Sequence, residues 1–470
     1  MRSLRLPLES QLFFSVVAGG TTLLAVYVAL TRSQTLGIGL PLALLTFLCL
    51  VTAFLVWPHW AFALMVPYFA FVPIAKVFVS PWIGATKDVV SFSAVVAAVL
   101  LIVVSREHLR PDGALLAAVL LVVVLYVVNV GGGHGVAWLQ GVRLLCLPLS
   151  MVVVGMTLET PQRSLRWVAT SFAATGCVVA LYGIVQQLLG VYRLNDLGYT
   201  YDEQLRTYNG ILRSFGTLDD PFAYAAFLLM ALACALFWMR RGPLRLLVGT
   251  IIAAGLAASL VRSAALVSVG LLALWLARKG RTPSAALLLT ALGALAVFLV
   301  VNASGTQTRT YRAGGTADGS ASIVTLNGRV GAWRAALGGP ADWPFGRGVG
   351  EVGTAAARAT TSITPDTGQV VGKPVTAVDS GYLAIVADIG IIGFAVFAFL
   401  LARLWRLSRD AARVPLRGAW LPLAILVVML LDATTRSSFT GFPTATLEFL
   451  LIGLTLAAAR DAREAASARE

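Results

Sequence analysis

Apolar runs of about 17 to 25 residues, divided by short polar links, recur from one end of the chain to the other. Each is long enough to cross a hydrocarbon layer about 30 Å thick. Backbone N–H and C=O groups inside lipid must be paired within their own segment, so these runs are expected to be helices. The pattern places spans near residues 11–30, 37–56, 60–79, 88–105, 112–129, 138–157 and 166–190. A second group falls near 221–239, 244–260, 262–278, 283–302, 383–405, 418–434 and 442–459. The short pair within 244–278 and the last hairpin could be re-entrant, which gives an all-α polytopic membrane protein with about 12–14 transmembrane helices. No repeat of fixed period is visible.

Composition agrees with this pattern. Of 470 residues, 58% are hydrophobic and 12% charged, and the mean hydropathy is +0.84. A water-soluble surface needs more charge than that. The net charge of +14 would suggest nucleic acid, but its placement argues otherwise. More than half of the 36 Lys and Arg residues sit in links between apolar runs: Arg106 and Arg110, Arg163 and Arg166, Arg240 to Arg245, Arg278 to Arg281, Arg403 to Arg417, with Arg2, Arg5, Arg460, Arg463 and Arg469 at the ends. With both termini in the cytoplasm, every one of these clusters lands on the cytoplasmic side, as the positive-inside rule requires. The expected location is therefore a membrane, with both termini on its cytoplasmic side. Arg2 and Arg5 precede an apolar run without a small-residue cleavage pattern, which reads as a retained first helix. Cys49, Cys146, Cys177 and Cys234 lie inside apolar runs and read as packing residues. The three histidines, His59, His108 and His134, are too scattered for a metal site.

Two polar stretches fall on the outer side in this topology. Residues 191–220 are polar and aromatic and end in Asp220-Pro221, an N-cap and first helical residue for the next span. Residues 303–382 form one large extracytoplasmic loop, with an opening rich in Gly, Thr, Ala and Ser, expected to be mobile, and a tryptophan-bearing part expected to fold back over the bundle. The chain thus divides into an N-terminal bundle (1–302), the loop (303–382), and C-terminal helices with a cytoplasmic tail (383–470).

Ionisable side chains at membrane depth are costly and so are candidates for function. Lys87, Arg143, Arg213 and Arg262 gather at the outer ends of helices in this topology. Each alone could snorkel to headgroups; four at one level suggest an anion site, to which the planar fork of arginine is suited. Arg262 stands between two apolar runs almost without a polar linker, either as a water-facing turn residue or as part of that site, and Ser263 could cap the next helix. Asp379, where the long loop meets the following span, could act as a general base or cap that helix. Asp388, deeper in the span, is expected to pair with a buried cation. Gly348, Gly350 and Gly353 fit a GxGxxG spacing but follow no strand, so nucleotide binding is not expected there. Asp219-Asp220 reads as a helix cap rather than a metal site. No metal and no other cofactor are expected.

The order of these features resembles the O-antigen ligase and polymerase superfamily of bacterial membrane glycosyltransferases. Arg213-Ser-Phe-Gly216 followed by Pro221 resembles its Arg-x-x-Gly…Pro passage, and Ser259-Leu-Val-Arg262-Ser-Ala resembles its arginine turn. Arg329-Val-Gly-Ala-Trp333 with Pro344-Phe-Gly346-Arg347-Gly348 is similar to its Arg-x-x-x-Trp and Pro-x-Gly-x-Gly stretch. Asp379-Ser-Gly-Tyr382-Leu383 and Gly390-Ile-Ile-Gly393 follow. The likeness covers about residues 210–395; the N-terminal half matches in layout only.

The resemblance implies a GT-C-like fold and a donor glycan linked to polyprenyl (undecaprenyl-type) diphosphate, attacked by a hydroxyl of a glycan or lipid-glycan acceptor. It implies that Arg213 and Arg262 bind the diphosphate, with Lys87 assisting. Arg143, Arg329, Trp333, Arg347 and Tyr382 are further substrate-binding candidates, and Asp379 is the candidate base. Many members, the ligases especially, carry His-Asn where this chain has Asp379-Ser380. A carboxylate is a weaker base than imidazole but is ionised at neutral pH. The departure ranks a polymerase of O-antigen or exopolysaccharide repeats ahead of a ligase. The alternative is a transporter of a small anion such as bicarbonate, or of the lipid-linked glycan. Transport would call for polar groups near the midplane and paired broken helices, and no such symmetry is evident. A purely structural scaffold would leave the cations unexplained.

Overall fold

The computed structural model describes residues 36–80, 83–104, 112–200, 204–208, 210–278, 326–360, 362–363, 370–371, 378–441 and 443–469. The N-terminal helices are α1 (Leu36–Val56), α2 (Pro58–Phe78), α3 (Ile83–Val104), α4 (Gly113–Val128), α5 (Val136–Met156) and α6 (Pro161–Asp196). A hairpin of β1 (Arg206–Tyr208) and β2 (Ile211–Arg213) leads to α7 (Pro221–Phe237), α8 (Pro243–Ala258) and α9 (Arg262–Ala277). In the long loop lie α10 (Leu326–Leu337), α11 (Gly353–Thr360) and the two-residue strands β3 (Ser362–Ile363) and β4 (Val370–Val371). The chain closes with α12 (Gly381–Ala411), α13 (Leu421–Asp432) and α14 (Thr444–Ser467).

The protein is an all-α polytopic membrane protein. The expected spans at 11–30 and 283–302 and the opening of the long loop lie outside the described residues; each of the other expected spans contains a helix. Among the described residues five helices are long and apolar enough to cross a membrane, namely those in α2, α3, α5, α6 and α12. Others are shorter: α7, with 17 residues, is about 26 Å long at 1.5 Å per residue. Within the polar stretch before α7 the short hairpin β1–β2 pairs its backbone groups across strands.

Burial sorts the helices into layers. Nearly every residue of α7, and every residue of α14 from Thr444 to Ala459, is buried, as expected for a helix apolar all round and packed inside others. Peripheral helices turn large apolar side chains outward; Leu64 in α2 and Leu188 in α6 are 64% and 80% exposed, the signature of a lipid-facing surface. The most intimate contact is between α5 and α14. A Cβ on Gly155 would lie 2.5 Å from Leu454 N, and one on Gly453 would lie 2.2 Å from Val152 O. Backbones this close gain packing and tolerate only hydrogen as a side chain, which is how small residues bind helices together in lipid.

The glycine-rich part of the long loop is fastened to α12, where that helix breaks at Gly390 (φ 71°, ψ −175°). Arg347 N donates to Ala387 O at 2.8 Å, and Ile391 N donates to Trp343 O at 2.8 Å. The loop thereby takes up helix groups that the break would leave unpaired. From the other side Asn129 Oδ1, at the end of α4, accepts from Val349 N at 2.6 Å. Asp388 accepts from the Tyr126 hydroxyl at 3.0 Å and from the Gly350 N–H. Its partners are therefore a phenol and an amide rather than the expected cation: neutral donors satisfy a buried carboxyl without bringing a second charge out of water.

The Gly155–Gly453 contact predicts that Gly453→Val forces α5 and α14 apart. The variant should lose several degrees of thermal stability in detergent, whereas a lipid-facing Leu188→Val should stay within about 0.5 kcal/mol of the parent. A Gly453→Val protein melting with the parent would contradict the packing described.

Candidate functional site

Several candidate residues meet where four helix ends, the starts of α7, α9 and α12 and the end of α6 beyond its kink at Gly190, converge with the α13–α14 connection. The hairpin brings the first cations there. Arg206 and Arg213 are direct cross-strand partners, so their side chains share one face. Both lie over the ring of Phe222, the Arg213 guanidinium 4.8 Å and the Arg206 guanidinium 5.9 Å from its centroid. Arg262, the first residue of α9, is within electrostatic reach of Arg213. Burial first, and then the charges of Arg206 and Arg262, draw Arg213 down to about 10, with Asp220 opposing them. The guanidinium still carries its charge at neutral pH. Its Nε is buried and, among the described residues, has no hydrogen-bond partner. A buried donor without an acceptor is costly to the free protein, and an anionic ligand would relieve it.

The passage from Arg213 to Gly216 is held by two glutamines of α6 that sequence reading did not single out. Gln186 Oε1 accepts from Phe215 N at 3.2 Å and Gly216 N at 2.8 Å, and its Nε2 donates to Gly216 O at 2.8 Å. Gln187 Nε2 donates to Leu212 O at 2.6 Å and to Ala258 O at 2.9 Å, tying the hairpin to the end of α8 just before Arg262. The chain then turns through Leu260, which has a positive φ of 51°. The N-cap of α9 is Val261, not Ser263: the turn delivers Arg262 as the first helical residue, which puts Ser263 inside the helix. Asp220 caps α7, accepting from Phe222 N at 2.7 Å and Ala223 N at 2.8 Å. Asp219 pairs with Lys76 of α2 at 3.4 Å.

Asp379 reaches the same junction through its neighbours. Ser380, rather than Asp379, occupies the N-cap position of α12. Gly381 N donates to both Ala433 O and Arg436 O at 2.8 Å, and Ser437 Oγ donates to Val378 O at 2.8 Å. Asp379, half-buried, is thus flanked on both sides by bonds to the α13–α14 connection. Arg436 in that connection links back to the hairpin: its Nη1 donates to Phe222 O at 2.7 Å and lies 3.5 Å from Asp432 Oδ2. Phe222 therefore offers its ring to Arg213 and its carbonyl to Arg436. Asp432 in turn accepts from Ser438 Oγ at 2.6 Å. The sequence signal for Arg436 was an isolated arginine between two apolar runs, the same signal that singled out Arg262.

The remaining candidates are spread over the neighbouring elements. Arg143 of α5 forms an ion pair with Asp88 of α3 at 3.1 Å, next in sequence to Lys87. Arg347 Nη1 donates to Ala335 O at 2.8 Å, fastening the end of α10. The Tyr382 hydroxyl donates to Leu430 O at 2.8 Å, and its ring meets Phe439 edge-on. Trp333 lies half-buried in α10. Arg329 is in the same helix, and its side chain lies outside the described residues. The structure thus joins Arg213, Arg262 and the surroundings of Asp379, and gives Arg143, Arg347 and Tyr382 partners within the protein.

Comparison with known proteins fits this arrangement. A family model described as O-antigen ligase matches residues 247–398, which run from α8 through Arg262 and the long loop into α12. No curated protein matches the chain. The matched segment holds Arg262, the Trp333 and Gly346–Gly348 passages, Asp379 and Gly390 in the order set out above. That segment, framed by apolar membrane helices, supports a likeness to the O-antigen ligase/polymerase superfamily of membrane glycosyltransferases.

Proposed function

We propose that the protein is a glycosyltransferase that moves polyprenyl-diphosphate-linked glycan on the extracytoplasmic face of the inner membrane, and that it extends glycan repeats rather than completing a lipopolysaccharide. The observation that carries this reading is the buried Nε of Arg213, which has no hydrogen-bond partner among the described residues, in a group of three arginines at a bundle end. Cleavage of the anomeric bond leaves both bonding electrons on the diphosphate oxygen. Guanidinium groups already in place stabilise that charge as it develops, without a reorganisation of solvent at the moment of reaction. Stacking on Phe222 keeps two of them pre-aligned despite their mutual repulsion. Lys87 adds positive charge from α3, where the neighbouring Asp88 is paired with Arg143.

The acceptor hydroxyl loses its proton to the Asp379 carboxylate as its oxygen bonds to the anomeric carbon. Asp379 stands where many ligases of the superfamily it resembles carry histidine, and a carboxylate can take the proton of a sugar hydroxyl arriving on a second lipid-linked chain. Arg329, Trp333, Arg347 and Tyr382 lie in or beside the loop under which the sugars would sit. Gln186 and Gln187 are positioning residues: they fix the backbone from which Arg213 and Arg262 project.

Reconstituted protein supplied with lipid-linked glycan, and no ion gradient, should form longer glycan, which separates transfer from transport. Arg213→Ala and Arg262→Ala should each lower kcat by about 10²–10³-fold while the folded protein persists in the membrane. Undiminished product would end the assignment of these residues. Asp379→Asn should cost about 10²-fold or more, with substrate KM little changed. Gln186→Leu should weaken the reaction through Arg213, so combining it with Arg213→Ala should add little further loss; full additivity would argue against the positioning role.

A further inference from the structure

At the bundle end opposite Arg213, the links between helices build a second basic site that the transfer reaction does not use. A cavity of about 220 Å³ is lined by Arg240, Arg241, Arg245, Arg278 and Arg417 together with Trp238 and Trp275. It lies where α7 and α9 end and α8 begins, beside the α12–α13 connection. Among the described residues, no carboxylate lines it. Arginines that only obey a topological rule would spread into solvent, where repulsion is least. Three of the five are in addition tied to the protein, Arg245 half-buried and Arg278 and Arg417 still open to solvent. Arg417 Nε donates to Trp238 O at 2.7 Å, and its guanidinium lies 4.9 Å over the Trp238 ring. Arg278 Nη1 donates to Phe237 O at 3.3 Å, and Arg245 lies 5.7 Å over Trp275.

Convergence of like charges has a cost that shows in the groups themselves. Burial, then Arg241 and Arg245, lower Arg278 from its ordinary value; burial, then Arg240 and Arg166, lower Arg417. A guanidinium has five N–H donors, and the carbonyl bonds occupy few of them. The space would hold about seven waters at roughly 30 Å³ each, enough for a phosphate and part of its hydration. Tryptophan walls belong to the level where membrane meets water, and basic pockets between helices at that level suit phosphate-bearing headgroups. We propose that this cavity is a phosphate-binding site, filled by the phosphate of an anionic phospholipid headgroup or by a free phosphate anion.

The test uses the full chain in lipid nanodiscs, compared with Arg241→Gln/Arg245→Gln, which leaves the Arg278 and Arg417 carbonyl bonds in place. One arm replaces phosphatidylcholine with phosphatidylglycerol and follows lipid retention by native mass spectrometry and thermal stability. The other adds inorganic phosphate to phosphatidylcholine discs against sodium chloride of equal ionic strength. Retention of phosphatidylglycerol with thermal protection supports the site and assigns a headgroup; protection by phosphate beyond chloride supports it with a free anion. In either case the double variant should bind about tenfold or more weakly. Equal behaviour of parent and variant, or no effect of either phosphate source beyond chloride, would overturn the proposal.

Discussion

Phe222 joins two parts of the sequence that are far apart. Its ring carries the arginine that ends the hairpin, and its carbonyl accepts the arginine that links the last two helices. A cation can be kept from water at the edge of a bilayer only where something replaces its hydration. One residue at the start of α7 does this for both. Remove it, and the hairpin, the α7 N-terminus and the α13–α14 connection have no common point of attachment. The cluster of Arg206, Arg213 and Arg262 depends on that joint, and so does the route by which Asp379 is brought alongside.

The same physics divides the molecule lengthwise. One end gathers three arginines around a buried donor without an acceptor among the described residues; the other gathers five around a cavity. The 17 residues of α7 run between them. Carboxylates temper the first end, where Asp220 caps α7, Asp219 takes Lys76, and Asp432 faces Arg436. None among the described residues lines the second. A site that must release a product benefits from such tempering, whereas one that retains a phosphate does not require it.

Much of the architecture was legible in the chain because hydrocarbon permits so few solutions. Runs of apolar residues had to be helices, and Asp220-Pro221 marked a helix start that the structure confirms to the residue, whereas the cap expected at Ser263 falls at Val261. The site was legible in its cations but not in what holds them. Gln186 and Gln187 sit in an apolar run where a polar pair reads as an interruption, and only the fold shows that they clamp residues about thirty and seventy positions away. Arg206 gave no signal because its role depends on strand register, which three-residue strands do not encode in hydrophobic pattern. Asp388 was assigned a cation because sequence cannot distinguish a charged partner from a phenol brought across from α4.

The break in α12 has a mechanical corollary. Main-chain groups from Trp343 to Arg347 complete the hydrogen bonding of α12 around Gly390. A segment that finishes another helix's ladder cannot swing away like a hinged cover, because departure would strand amides and carbonyls of both partners. That part of the loop and the first turns of α12, which begin beside Asp379, must therefore travel as one rigid unit. Any opening of the candidate site has to occur along some other seam.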